Sequence, residues 1–204
     1  STTGAAFVKA PLHVQKIAKK ANGVLSQLSR TLISRNKKVI TDLFKTFVRP
    51  ILESAAPAWS PWQRQDIDMI ERIQRRATRM VPGIGSMDYQ ERLKICRLTT
   101  LEERRRRGDM IEVFKLTNGL TTVVNDHFLS FTSQRHNLTT RSAENKFLVS
   151  EKCRLDIRKN FFTNRVVNIW NSLPIDVRES DCVNSFKISY DDWMGYYQND
   201  EQLI

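Results

Sequence analysis

Between Val39 and Leu52 the apolar residues Val39, Ile40, Leu43, Phe44, Phe47, Val48, Ile51 and Leu52 recur three and four positions apart. That period gives an α-helix one dry face, and it does not fit the two-residue alternation of a half-buried strand. The same period appears on both sides. Leu12, Ile17, Ala21, Val24, Leu25, Leu28 and Leu32 form one stripe; Ile67, Ile70, Ile73, Ala77 and Met80 form another. Three such helices can hide their stripes only against one another, so residues 1–82 are expected to form a helical bundle. Local signals set its joints. Asn36 is suited to cap the second helix. Pro50 lies inside that helix and should kink it. Pro57 and Pro61 mark a turn around Trp59 and Trp62, and Pro82-Gly83 ends a third helix running from about Gln65 to Val81.

The remaining residues, 83–204, read as a second, helical C-terminal subdomain. A short helix is expected over Tyr89–Cys96. Thr100-Leu101-Glu102-Glu103 has the spacing of a capping box and opens a longer helix that Asn118-Gly119 closes. A short apolar patch follows at Val123, Val124 and Phe128. Residues 130–145 are polar and read as loop. Lys146–Leu155 alternates weakly at Phe147, Val149 and Leu155, which suits one or two short strands and a small β-hairpin. Phe161, Phe162, Arg165, Val166, Ile169 and Trp170 carry another helix as far as Pro174. A last amphipathic segment spans Val183 to Met194, with Phe186, Tyr190 and Trp193 inward. The fold class expected is therefore mainly α.

Charge narrows the function. The chain carries a formal net charge of +11, with 40% hydrophobic and 27% charged residues, enough for a globular core. Residues 1–49 hold ten Lys/Arg and a single acid, Asp42, whereas residues 175–204 hold seven acids and two bases. A basic body with an acidic tail points to a polyanion, with nucleic acid ahead of an anionic membrane. The three cysteines, Cys96, Cys153 and Cys182, are too few and too scattered for a disulfide framework or a zinc site, which suggests a reducing intracellular compartment, nucleus or cytoplasm. No run approaches the ~18 apolar residues of a membrane span, and no signal-peptide pattern stands at the start, so no membrane partner is expected. The sequon Asn137-Leu138-Thr139 is then expected to stay unmodified.

A helix that grips phosphates needs Lys or Arg every three or four residues on one rigid face. Lys16, Lys19 and Lys20 meet that spacing, as do Arg72, Arg75, Arg76 and Arg79; Arg30, Arg35, Lys37 and Lys38 flank the first group. Such runs are more commonly just solvated helix surface, and Glu71 stands where it can neutralise Arg75 at i+4. Trp59 and Trp62 could stack on bases, but their flanking prolines favour a packed corner. Arg165 sits on the apolar side of its helix and must be paired if buried; Asp109 and the glutamates of the Leu101–Asp109 helix are the candidate partners.

Five stretches occur in fixed order: FVRPILESAAPAWSPW (Phe47–Trp62), IERIQRRATRMVPGI (Ile70–Ile84), YQERLKICRLTTLEERRRRGDMIEVFKLTNG (Tyr89–Gly119), FFTNRVVNIWNSLP (Phe161–Pro174) and SFK (Ser185–Lys187). Their combination resembles the carboxy-terminal part of reverse transcriptases from non-LTR, LINE-like retrotransposons of the Jockey and CR1 type, over roughly Leu12 to Trp193. The resemblance implies that residues 12–82 are a thumb, a helical bundle that packs on a template–primer duplex, and that residues 83–195 follow or join it. It also implies that the fingers and palm, with their metal-binding aspartates, belong to sequence not present here. The expected partners are thus RNA, DNA or an RNA–DNA hybrid, together with those missing fingers and palm.

No catalytic or metal-binding residue is assigned in this chain, and no cofactor; the divalent metals of polymerisation would belong to the palm. Ser189-Tyr190-Asp191-Asp192-Trp193 lacks the residue that separates aromatic and Asp pair in the palm motif, and it lies in a helical pattern, so it reads as a helix-surface decoy. The arginine run LEERRRRGD (Leu101–Asp109) cannot form one flat patch, because four successive helical residues spread over about 300°. Glu102–Arg106 and Glu103–Arg107 are favourable i,i+4 pairs. By the resemblance, Arg104, Arg105 and Asp109 form a structural ion-pair centre, while Arg106 and Arg107 stay exposed and free to touch phosphate. The alternative to a nucleic-acid grip is a co-opted or degenerate remnant whose helices serve as a protein-interaction or structural module.

Overall fold

The computed structural model describes residues 10–33, 36–121, 129, 131 and 146–196. The fold is mainly α, with no strand among the described residues. It divides into two compact units, Ser1–Arg106 and Arg107–Ile204.

In the first unit, α1 (Ala10–Thr31) is followed by α2 (Lys37–Leu43), a π-helical turn (Phe44–Val48) and α3 (Arg49–Glu53). Asn36 caps α2 as expected, its side chain accepting from the Lys38 N–H at 2.9 Å. The kink expected at Pro50 takes the form of the π-turn just before it. Proline lacks an N–H and its ring crowds the carbonyl four residues back, which the wider turn relieves. The turn has a second effect. Ile40, Phe44, Val48 and Leu52 are all buried at a strict spacing of four. A regular α-helix swings such a row by about 40° per step; Ile40, before the π-turn, packs on a separate cluster, whereas the π-turn rotates less per residue and keeps Phe44, Val48 and Leu52 on one core. Phe47, counted inward from its spacing, is left 51% exposed, and Leu12 is exposed as well.

After α3 the chain turns through α4 (Ala56–Trp59) into α5 (Arg64–Arg79). Of the two tryptophans expected in a packed corner, Trp59 takes that place, its Nε1 donating to the Ser54 carbonyl at 2.6 Å and its ring meeting His13 edge-on at 5.3 Å, whereas Trp62 is 45% exposed. The core joins Val14, Ala21 and Leu25 of α1 with Phe44, Val48 and Leu52, and with Ile70, Ile73 and Ala77 of α5. Asp88 caps α6 (Tyr89–Cys96), whose Cys96 packs with Ile40, Val81 and Ile84. The sequence pattern drew a boundary at residue 82. The first unit continues instead to Arg106, because α6 and the start of α7 (Leu101–Thr117) are tied to α5 by the buried polar contacts described below.

The capping box of α7 is present in both directions. The Thr100 hydroxyl accepts from the Glu103 N–H at 3.1 Å, and the Glu103 carboxylate accepts from the Thr100 N–H at 2.8 Å. At the far end Gly119 takes φ +65°, so that the Leu120 and Gly119 N–H groups reach the Lys115 and Leu116 carbonyls. That paired closure is the Schellman arrangement, which favours glycine at this position.

The second unit packs Met110, Val113 and Phe114 of α7 against Val166 and Trp170 of α9 (Phe162–Ser172) and Phe186 and Tyr190 of α11 (Val183–Trp193). Phe114 and Phe186 stack with ring centroids 4.5 Å apart. Short helices α8 (Asp156–Lys159) and α10 (Ile175–Arg178) complete it. Trp193, expected inward, is 41% exposed. The β-hairpin expected over Lys146–Leu155 is not formed. Leu148 makes a single bridge with Phe131, and its N–H and C=O are both bound at 2.9 Å by the side-chain amide of Asn171. One asparagine thus supplies what a partner strand would, while the Trp170 Nε1 donates to the Lys146 carbonyl. The expected loop at residues 130 and 132–145, and the patch at Val123, Val124 and Phe128, lie outside the described residues.

Removing the cap hydroxyl with Thr100→Ala should lower stability by about 1 kcal/mol, whereas Thr100→Ser should retain most of it. Urea denaturation followed by circular dichroism measures both.

Candidate nucleic-acid interface

Helix α5 is built with three faces. Ile70, Ile73 and Ala77 turn one toward the apolar core. Glu71, Gln74 and Thr78, at i, i+3 and i+7, form a second face that is buried yet polar. Arg72, Arg76 and Arg79, with a similar spacing, are exposed on the third.

The polar face anchors the neighbouring elements. The Tyr89 hydroxyl donates to the Glu71 carboxylate, which also accepts the Leu101 N–H at 3.1 Å. Gln74 Nε2 donates to the Thr99 carbonyl and to the Tyr89 hydroxyl, and Arg92 Nε donates to the Thr78 hydroxyl. Every one of these groups needs a partner once water is excluded. Burial raises the Glu71 pKa above the ordinary glutamate value; the bonds from Tyr89 and Leu101 and the charges of Arg105 and Arg75 oppose it without overcoming it. The Tyr89 hydroxyl is raised in turn, by burial and by the bond to Glu71. Glu71 still feels the charge of Arg75, as its spacing suggests, but from a buried position and with Tyr89 and Leu101 as its hydrogen-bond donors. Arg75 is half-buried, with its guanidinium 4.8 Å from the centre of the Tyr89 ring.

The exposed face of α5 meets α1 across an open groove of about 460 Å³, lined by Gln15, Ala18, Lys19 and Asn22 from α1 and by Met69, Arg72, Ile73 and Arg76 from α5. Its floor is apolar, its rims carry Lys19, Arg72 and Arg76, and none of these lining residues is acidic. Arg76 Nη1 donates to Asn22 Oδ1 at 2.5 Å, tying the two walls together. Two runs that are far apart in sequence, and that spacing alone treats as separate patches, are thus brought onto one surface. Lys16 and Lys20 are exposed beside Lys19; Arg30, Lys37, Lys38 and Arg79 are exposed too, but none of them lines the groove. Arg35 lies outside the described residues.

The arginine run of α7 separates differently from the expectation. Arg104 binds Glu53 through Nε and Nη2. Arg105 is buried and within electrostatic reach of Glu71. Asp109 pairs with Arg165 in a bidentate contact of 2.8 and 2.9 Å, one of the candidate partners named from the sequence. The three matched positions are therefore internal, but they face three different groups and do not form one centre. Arg106 is partly exposed, 3.9 Å from Glu102. Arg107 is the correction. Its Nε and Nη2 lie 2.5 and 2.6 Å from the two carboxylate oxygens of Asp191, which is itself buried, so it is not free for phosphate. The same contact corrects the reading of Ser189–Trp193 as helix surface: Tyr190 and Asp191 are both buried, while Asp192 and Trp193 are exposed. Glu103, expected to pair with Arg107, is used in the cap.

The partners Glu53, Asp191 and Asn171 were not singled out from the sequence. A signal for Arg107 was nonetheless present, since Arg107, Met110 and Phe114 share the i, i+3, i+7 spacing of a core-facing stripe.

Comparison with protein-family models, with curated proteins and with solved structures finds no match to this chain.

Two outcomes test this geometry. Asp191→Ala strands a half-buried guanidinium and should cost about 3–5 kcal/mol, while Arg107→Met combined with Asp191→Leu should restore much of that stability; thermal melts of the single and double variants decide it. The raised Glu71 pKa makes the folded state bind the proton more tightly than the unfolded one. Its stabilising contribution is thus full below pH 4.5, the ordinary glutamate value, and lost as pH rises through the folded value. The stability of the wild type relative to Glu71→Gln should fall as pH is raised above 4.5, as read from denaturation curves at each pH.

Proposed function

We propose that this chain is the non-catalytic thumb and carboxy-terminal region of a LINE-like reverse transcriptase and that it holds template–primer nucleic acid through its phosphates. The observation that carries the proposal is the acid-free groove in which Lys19 of α1 meets Arg72 and Arg76 of α5. Basic side chains fixed on rigid helices hold a polyanion without reading its sequence. The net charge of +11 favours the same partner, and the order of the motifs from Phe47 to Lys187 supplies the family. Of the two classes weighed from the sequence, a grip on nucleic acid accounts for the convergence of cations that a purely structural module does not require. Lys16 and Lys20, exposed beside Lys19, extend the cationic rim. In this reading the chemistry of nucleotide addition belongs to the palm, and this region contributes affinity and position.

An RNA–DNA hybrid titrated with the protein at several salt concentrations should give a steep negative slope of log affinity against log salt. Reversing Lys16, Lys19 and Lys20 to Glu should flatten that slope by up to about 0.9 for each phosphate no longer neutralised. A flat slope in the wild type, or no binding at low salt, sinks the proposal.

A further inference from the structure

The groove between α1 and α5 has two matched walls. Gln15, Ala18, Lys19 and Asn22 follow one another at i, i+3, i+4 and i+7; Met69, Arg72, Ile73 and Arg76 do the same. Each wall is therefore about 10 Å long, and Arg72 and Arg76 stand about 6 Å apart along the axis. Cationic rims over an apolar floor of Ala18, Met69 and Ile73 suit a ligand that is anionic along its edges and rich in C–H between them.

A second, independent feature adjoins this groove. Gly23 lies within α1, exposed, next to Asn22 and one turn beyond Lys19. A β-carbon built there meets no atom within 4 Å, and its φ lies outside the left-handed region. Neither packing nor backbone geometry calls for glycine, which costs a helix interior about 1 kcal/mol relative to alanine. What the glycine does provide is bare backbone on the stripe that carries Lys16, Lys19 and Lys20. Bare backbone is what the close approach of a ligand chain requires.

From these features we propose that the groove is the seat of one sugar–phosphate strand. Arg72 and Arg76 hold phosphates from the α5 side and Lys19 holds one from the α1 side. Sugar edges lie along the apolar floor, and Gly23 lets the strand close onto α1. This rests on the nucleic-acid reading above and adds to it where the strand lies, how many strands are held and which residue permits the approach.

The test uses the full chain, a single-stranded oligonucleotide and the RNA–DNA hybrid. Replacing Arg72 and Arg76 together by Gln should flatten the salt slope for the single strand by about 1.4, at about 0.7 per phosphate; the Arg72→Lys/Arg76→Lys variant should keep it. Gly23→Ala should raise the melting temperature yet weaken binding of the same oligonucleotide by about threefold or more, half a decade in Kd. If the wild type binds but the double Gln variant keeps its slope, or Gly23→Ala binds as well as wild type, the seat is refuted and the broader reading stands. If the variants affect only the hybrid, the one-strand claim is refuted. If the wild type binds neither nucleic acid, both proposals fall. Binding to phosphatidylserine vesicles that depends on Arg72 and Arg76, without binding to nucleic acid, overturns both and makes the groove a lipid contact.

Discussion

The carboxylate of Glu71 is the contact on which the first unit turns. It is buried on α5 and accepts the hydroxyl of Tyr89 from α6 and the first N–H of α7 at Leu101. A helix N-terminus exposes unsatisfied N–H groups and carries a partial positive charge, so a carboxylate brought there from another helix satisfies both at once. The burial of that carboxylate is unfavourable by itself, and the bonds from Tyr89 and Leu101 and the nearby Arg105 offset it only in part. The consequence is positional: α5 is fixed about its own axis. With Glu71, Gln74 and Thr78 committed to one side and Ile70, Ile73 and Ala77 to another, Arg72 and Arg76 have to face the groove beside α1.

Helix α7 shows the same logic in its charges. Leu101, Arg105 and Asp109 are buried at a spacing of four, and Val113 continues the row. Buried or half-buried charges need fixed partners, and α7 holds several: Arg165 for Asp109, Glu53 for Arg104 and Asp191 for Arg107, with Arg105 in electrostatic reach of Glu71. Buried pairs of this kind contribute little net stability against apolar replacements, but they penalise any packing that separates the partners. Most of the arginine run is thus held in internal contacts, whereas Lys16, Lys19 and Lys20 of α1 and Arg72 and Arg76 of α5 are exposed.

Much of the helical content was legible because amphipathic periodicity is a local property. The helix bounds near Tyr89–Cys96, the caps at Asn36 and Thr100, and the glycine closure at Gly119 involve residues only a few positions apart. The Pro50 signal was legible as a disruption but not as a π-turn, whose form depends on which side chains the core demands at spacing four. Where local pattern failed, a distant partner had intervened. Asn171 replaced a β-strand for Leu148, Asp191 took Arg107, and Tyr89 donates to the carboxylate whose charge Arg75 also feels. The pairing of Arg165 with Asp109 was legible because an arginine on an apolar stripe requires an acid and few acids were placed to serve.

The sequence by itself determined that the chain is mainly helical and that its cations recur at helical spacing on the segments that became α1 and α5. Each follows from residues within a turn or two of one another. Only the tertiary structure decided which cations meet. Spacing along one helix gives a face but not its neighbour, and the neighbour is chosen by burial: α1 and α5 share a core through Ala21, Leu25, Ile70 and Ile73. That choice places Lys19 beside Arg72 and Arg76, while the same physics of burial withdraws Arg107 from the surface.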